Sequence, residues 1–252
     1  MSSLAIYIPA YNVGHTLPRV LERIPQVIYP IITEILIVDN ASNDNTYITA
    51  VGWKNKLKKI NIIQHKENKG YGGSQKIAYL HCIEKGYDYV VMLHGDAQYA
   101  PEFIPQLQKK IEETKADLVF GSRIKGKPLQ GGMPIWRYIG NRILTIMENI
   151  ILQTDLSEFH SGYRIYRLAA LKNIPFERCS NNYYFDSEIL VQMRICGLKI
   201  EEIEIPTHYA KDSQSPTVIQ TFYYGLAILI ILLKYLLHKW HIKKYAVFDV
   251  LM

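Results

Sequence analysis

Asp96 lies in the stretch LHGDAQYAPE (93–102), directly after the apolar run YDYVVML (87–93). A carboxylate leaving a buried strand in this way can hold a hard divalent cation, Mn2+ or Mg2+, because such ions prefer oxygen ligands. The Gln98 carbonyl is a second oxygen donor, direct or through water, and His94 adds a nitrogen that suits Mn2+ better than Mg2+. The same spacing fits a loop aspartate capping the helix that begins near Pro101. Asp39 ends another apolar run, TEILIVD (33–39), and opens DNASNDNT. Its carboxylate can accept hydrogen bonds from a base or ribose, with Tyr11 as a stacking face; turn and cap chemistry, with Asp44 opening the next helix, explains the same residues. KENKGYGGSQK (66–76) is Gly-rich and basic, but its spacing matches neither dinucleotide-binding nor P-loop patterns. It can bring backbone N–H groups and Lys69 or Lys76 to a phosphate, or be a flexible turn before a helix.

These residues need a scaffold that gathers strand ends. LAIYIP (4–9), TEILIVD, INIIQH (60–65), YDYVVML and ADLVFGS (116–122) read as strands. Helical patterns alternate with them, one ending at Gly86 as a C-cap and one opening at Pro101. This alternation predicts a mainly parallel α/β sheet with helices on both faces, which binds ligands at the strands' carboxyl ends. The groups that follow the strands are therefore the first candidates: Pro9-Ala10-Tyr11-Asn12, Asp39-Asn40, His94-Gly95-Asp96 and Gly121-Ser122-Arg123. Further on, KGKPLQGGMP (125–134) reads as a mobile loop, residues 135–153 as a long helix, HSGYRIYR (160–167) as a strand, FDSEILVQMRICG (185–197) as a helix and LKIEEIEIP (198–206) as a closing strand.

Composition narrows the class without choosing a ligand. The 252 residues are 48% hydrophobic and carry a net charge of +6, which suits anionic partners. The lysines form no single dense run, which argues against nucleic acid. Three cysteines without a CxxC pair fit a reducing compartment, and the N-terminus has no signal-peptide pattern, so the expected location is cytoplasmic, with the inner face of the membrane as the variant. FYYGLAILIILLKYLL (222–237), followed by the basic HKWHIKKY (238–245), suits an interfacial helix on an anionic membrane; packing on the body or in a homodimer is the alternative. The expected division is a catalytic domain at 1–210 and a helical tail at 211–252.

In order along the chain, IYIPAYN, IVDNASNDNT, NKGYGGSQK, HGDAQYAPE, GSR, SGYR and FDSE with a following EIEIP strand resemble the family 2 glycosyltransferases of GT-A fold. Within that family they look most like the branch around dolichyl-phosphate mannose synthases and related bacterial enzymes. The resemblance implies that Pro9, Ala10, Tyr11 and Asn12 line the base pocket, that Asp39 touches base or ribose, and that Lys69 and Gly95 lie along the nucleotide. It matches Asp96 to the second acid of the family's Asp-x-Asp metal motif and Gln98 to the Gln after it. Arg123 would face phosphate, and Asp186 falls where many inverting members keep a general base. His94 departs from the motif's first acid, and Asp39-Asn40 from the usual Asp-Asp. His160, Ser161 and Arg164 of HSGYR would lie on the acceptor side, with His160 and Glu158 as alternatives for proton handling and Arg164 and Lys125 or Lys127 as contacts for an acceptor phosphate. The implied activity is inverting transfer of a sugar from a nucleotide-diphosphate sugar, UDP ahead of GDP, to a glycan or other hydroxyl acceptor in cell-surface polysaccharide or glycoconjugate synthesis. A polyprenyl-phosphate acceptor is the first alternative, and a non-catalytic nucleotide-sugar binder the second.

Overall fold

The computed structural model describes residues 2–206 and 217–250. Its centre is a seven-stranded sheet: β1 (Leu4–Ala10), β2 (Ile32–Asp39), β3 (Ile60–Gln64), β4 (Tyr89–Met92), β5 (Leu118–Ser122), β6 (Arg164–Arg167) and β7 (Ile200–Glu204), in the order β3-β2-β1-β4-β6-β5-β7. β1 pairs in parallel with β2 and β4, β2 with β3, and β5 with β7; β6 is antiparallel to both β4 and β5. The sheet is therefore mainly parallel, as expected. Its helices are α1 (Leu17–Glu22), α2 (Thr46–Lys56), α3 (Tyr71–Glu84), α4 (Ile104–Thr114), α5 (Ile135–Leu152), α6 (Leu168–Leu171), α7 (Phe185–Ile195) and α8 (Val218–Lys239).

The strands are continuously apolar because both faces are covered. Ala5, Tyr7, Leu36 and Val38 point into one core with α3, α7 and α8, while Leu4, Ile6, Ile8, Ile35 and Ile37 point into a second core with α1 and α4. Successive side chains of a strand alternate faces, so one run supplies both layers. The last helix belongs to the first core: Ile228, Ile231, Leu232 and Tyr235 of α8 are buried in it, and Phe248 beyond them is 1% exposed. The expected domain boundary near residue 210 lies outside the described residues.

Three local outcomes differ from the sequence reading. Only Arg164–Arg167 of HSGYRIYR is strand. Residues 160–163 instead bend, with Gly162 N–H bonded to Tyr99 Oη (2.9 Å) and the Phe159 and Ser161 carbonyls held by Arg164. The 125–134 segment, read as a mobile loop, is a chain of turns, with Gly126 N–H to Arg123 O (3.0 Å), Gln130 N–H to Lys127 O (3.1 Å) and Met133 N–H to Pro128 O (3.0 Å). The Gly-rich start of α3 is not an open phosphate cradle. Gly72 and Gly73 donate to the Asn181 carbonyl at 2.8 and 3.3 Å, and Lys76 Nζ donates to Cys179 O and Asn181 Oδ1. That seam fixes the 179–184 segment and hence the start of α7.

The glycines of GYGG are explained by this close approach. A Cβ on Gly72 would sit 2.4 Å from Ser180 O and 2.7 Å from Phe185 Cβ. Gly72→Ala should therefore push α7 away from α3 and destabilise the fold by about 1–3 kcal/mol. A urea midpoint lowered without a change in slope is the expected reading, and an unchanged midpoint would show that the seam yields freely.

Candidate active site

The sheet brings together the carboxyl ends of β1, β2 and β4. Ala10 and Asp39 are register partners, Asn40 N–H donates to Ala10 O (2.8 Å), and Gly95 N–H donates to Pro9 O (3.3 Å). Gly95 fits there because any Cβ would lie 3.0 Å from Val13 and 3.2 Å from Pro9 O. Asp96 thus emerges beside the Pro9–Asn12 turn. Ala10 is buried, Pro9 and Asn12 are half-buried and Tyr11 is 43% exposed, so its ring is available for stacking. Asn12 takes a left-handed φ of 53°. Its N–H bonds Ser42 Oγ (3.0 Å) and its Oδ1 accepts from Asn43 N–H (2.9 Å), which ties this turn to the one after β2.

Asp39 requires a correction. Its side chain is 0% exposed, Oδ1 accepts from Ser42 N–H (3.0 Å), and Gln64 Nε2 lies 3.5 Å from Oδ2. In this arrangement it shapes the pocket wall instead of offering an open acceptor to a base or ribose. Asp44, expected to cap, accepts from Thr46 N–H (2.9 Å) and Gly14 N–H (3.0 Å). Lys69 stands at the rim, half exposed and paired with Glu67, while its N–H bonds Asn40 Oδ1 (2.8 Å). Gln64, His65, Lys66, Glu67 and Lys69 line an open cleft beside it.

On the other side of Asp96, a buried polar chain connects four elements. His94 Nε2 is 3.2 Å from Tyr71 Oη, and Tyr71 donates to Asp186 Oδ2 at 3.0 Å. Gln75 Nε2 donates to Asp186 Oδ1 at 3.2 Å, and Arg164 Nη1 lies 3.6 Å from the same oxygen. Tyr71 and Gln75 reach one carboxylate because residues four apart share a helix face. Gly162 completes the packing, since a Cβ there would meet His94 Nε2 at 2.7 Å and Tyr71 Oη at 3.0 Å.

Arg164 also departs from expectation. It is 0% exposed and donates to Ser161 O (2.7 Å), Phe159 O (2.9 Å), Asp186 O (3.0 Å) and Tyr166 Oη (3.3 Å). Its guanidinium holds the 159–161 bend in place and does not face an acceptor. Ser161 is likewise 0% exposed, with Oγ accepting from Tyr163 N–H (3.4 Å). Arg123 binds Glu158 through Nε (2.9 Å) and Nη2, and its Nη2 donates to His160 O (3.0 Å). The side chain expected to face phosphate is thus turned onto a buried acid. Glu158, an alternative for proton handling, is 0% exposed and also accepts from Arg123 N–H (2.8 Å) and Asn141 Nδ2 (3.1 Å). His160 Nε2 is 3.2 Å from Glu148 Oε2, close enough for an ion pair but outside hydrogen-bond geometry, and Nδ1 is 3.4 Å from Tyr224 Oη. Lys125 pairs with Glu202 (2.6 Å), and Lys127 is exposed.

Burial and neighbouring charge shift several of these groups. Burial lowers the His94 pKa, and Arg123 and Arg164 add to that against the pull of Asp96 and Asp186, so the ring is held neutral. Burial raises Tyr71 well above its ordinary value, and Asp186 adds to the shift, so it remains an O–H donor. Burial alone would raise Glu158, but Arg123 outweighs it and leaves the carboxyl below the usual range. Burial opposes the charge on Arg164, and Asp186 more than compensates.

For a cation, Asp96 offers the relevant carboxylate. Oδ1 accepts from Gln98 N–H at 3.1 Å, which leaves Oδ2 and the Gln98 side chain as oxygen donors, and His94 keeps only Nδ1. No cluster of three or more His, Cys, Asp or Glu occurs among the described residues, so the donor set fits an ion that takes its remaining ligands from phosphate and water. The sequence reading did not single out Gln75, Tyr99, Glu148 or Tyr224, and placed no chemistry on Tyr71. The one signal for Tyr71 and Gln75 was their four-residue spacing at the head of a helix.

A mainly parallel sheet whose strand tips gather a turn, a stacking ring and one metal-type acid defines a nucleotide-sugar transferase of GT-A fold. The sequence agrees: a model described as Glycosyl transferase family 2 matches residues 5–174, and the chain belongs to that family of glycosyltransferase enzymes. It is 29% identical over 229 residues to the UDP-N-acetylglucosamine–dolichyl-phosphate N-acetylglucosaminyltransferase of Methanococcus voltae, covering 85% of this chain and 90% of that protein. It is 28% identical over 199 residues to the undecaprenyl-phosphate mannosyltransferase of Micrococcus luteus, covering 79% and 80%. Among solved structures, the glucosyl-3-phosphoglycerate synthase of Mycobacterium tuberculosis with Mn2+, UDP and phosphoglyceric acid superimposes with a TM-score of 0.71 at 15% identity, covering 93% of this chain and 78% of that one.

Glu158→Gln tests the Arg123 clamp. Removing one partner of a buried pair should cost about 3 kcal/mol at pH 7. The native carboxyl is depressed, so the unfolded chain takes up its proton first. The stability it supplies is complete above the ordinary glutamate value of about 4.3 and is lost as pH falls through the lower folded value. The gap between wild type and variant in urea midpoint should therefore narrow below that pH, whereas a constant gap would refute the assignment.

Proposed function

We propose that this enzyme transfers a sugar, with inversion, from a nucleotide-diphosphate sugar to a polyprenyl phosphate at a membrane surface. The observation that carries this reading is the state of Asp186. Both of its carboxylate oxygens already accept from Tyr71 or Gln75, and Arg164 stands 3.6 Å away. A hydroxyl acceptor needs a base to take its proton. A phosphate acceptor is already anionic, and a carboxylate engaged on both oxygens is compatible with it. The names of the two relatives support the same acceptor class.

In this mechanism Tyr11 and the Pro9–Asn12 turn bind the base, and the strand tips orient the diphosphate. An acceptor phosphate oxygen attacks the anomeric carbon from the side opposite the diphosphate. A new C–O bond forms as the bond to the nucleoside diphosphate breaks, and the leaving group keeps the electron pair. Asp96 and Gln98, with His94 as a further donor, would hold Mn2+ or Mg2+, which supplies positive charge to the departing diphosphate. His94, neutral and fixed by Tyr71, contributes no proton. The His160–Ser161 bend, pinned by Arg164 and Arg123, forms the acceptor-side wall, and Tyr224 of α8 closes it.

Transfer should occur to farnesyl phosphate but not to farnesol, from one of a panel of UDP- and GDP-sugars, and should stop in EDTA. Transfer to farnesol instead would return the hydroxyl-acceptor reading. Asp96→Asn should lower kcat/KM by 100-fold or more, in line with about 2.7–4 kcal/mol for removing an electrostatic group at a leaving oxyanion. Asp186→Asn should reduce turnover without removing an ionisation from the pH profile of kcat. A lost acidic limb in that profile would identify Asp186 as a base.

A further inference from the structure

The helix α5 is inside out. Three of its four buried positions are polar, namely Asn141 (8% exposed), Thr145 (1%) and Glu148 (2%), with Leu152 the fourth, while Ile135, Trp136, Ile139, Ile143, Ile146, Met147 and Ile150 are all at least 37% exposed. Those apolar positions recur at three- and four-residue intervals and so form one stripe. α8 packs beside it, with Gly225 facing Leu144, and adds exposed Phe222, Tyr223, Leu226, Ile230 and Leu233. A soluble surface rarely presents so continuous an apolar patch without a partner.

From this geometry we infer that α5 and α8 form a platform that seats the enzyme on an anionic bilayer, both helices lying along the surface. The charge around the patch selects the occupant. α8 contains no acidic residue, and the one acid of α5, Glu148, is buried. Lys239 at the end of α8 and Lys243 and Lys244 beyond it are exposed, together with Trp240 and Ile242. A cationic cluster at the end of an apolar face attracts anionic headgroups, whereas a second copy of this chain in a symmetric pair would bring a cluster of the same sign.

α8, with 22 residues, is long enough to cross a bilayer, but both of its ends are tied to the catalytic body. Near its start Tyr224 contacts His160 and stacks with Tyr184 (6.3 Å between ring centres). Past its end the chain returns: Gln192 Nε2 donates to Val247 O (2.7 Å), Arg178 Nη1 donates to Asp249 O (2.8 Å), and Phe248 packs on Tyr235. A helix anchored to one body at both ends lies on the membrane and does not cross it. The platform therefore ends at the acceptor wall, where a lipid headgroup enters from the bilayer. This deepens the acceptor reading and rests on it for its purpose, but its test is independent of turnover.

Flotation with vesicles of phosphatidylcholine containing phosphatidylglycerol, without donor or polyprenyl phosphate, should recover the wild-type protein. Binding should weaken at least tenfold with phosphatidylcholine alone and in the double variant Ile143→Glu/Ile146→Glu. Val27→Glu, at a 77% exposed position outside the platform, should bind as wild type. All three proteins should keep their thermal midpoint and their turnover of water-soluble farnesyl phosphate, so loss of docking and failure of the acceptor reading give different results. Washing the vesicles at pH 11 should release the bound protein, because an interfacial helix is held reversibly. Retention in the vesicles after that wash would establish a crossing helix. Absence of vesicle binding, or a dimer in sedimentation that the double Glu variant dissociates, would overturn the proposal.

Discussion

The structure depends on a cation that has no access to water. Arg164 is 0% exposed, and its guanidinium reaches Asp186 and the carbonyls of Phe159, Ser161 and Asp186. Burying such a charge costs several kcal/mol unless it is paired and its donors are satisfied. The pairing is possible only if β6, the 159–161 bend and α7 sit in one relation to each other. The arginine thus converts an electrostatic requirement into a position for the 159–161 bend and for Asp186. Tyr71 and Gln75 extend the same constraint to α3, and His94 extends it to the segment that follows β4.

A second clamp repeats the device. Arg123 and Glu158 join the end of β5 to the same bend from the other direction. The two arginines that looked like phosphate contacts therefore act as braces. Preorganisation of this kind lets an electrophilic site act without reorganising its dipoles during reaction. Under the proposed function a single carboxylate, Asp96, would suffice on the donor side, since the diphosphate brings the remaining oxygen ligands with it.

Much of this was legible along the chain. The apolar runs specified a parallel-type sheet because both faces had to be covered, and six of the seven strands fall within a few residues of their expected limits. Asp96, Gly95 and the Pro9–Asn12 turn meet as their strand-end positions require. The roles of Asp39, Arg123 and Arg164 were not legible, because residue type and position do not report whether a polar group ends against solvent or against another residue. Gly162 and Gly72 were readable as glycines but not as points of close approach, since their neighbours lie far off in sequence.

By itself, then, the sequence determined the layer order, the strand tips and the chemistry available at them, since these follow from local periodicity and residue type. Only the tertiary structure decided which charges were neutralised internally, because that depends on contacts between segments as distant as Tyr71 and Asp186. It likewise decided that the apolar side of α5 points outward. Periodicity reveals that a helix has two faces, but the packing of Asn141, Thr145 and Glu148 against Glu158 and His160 fixes which of them is turned inward.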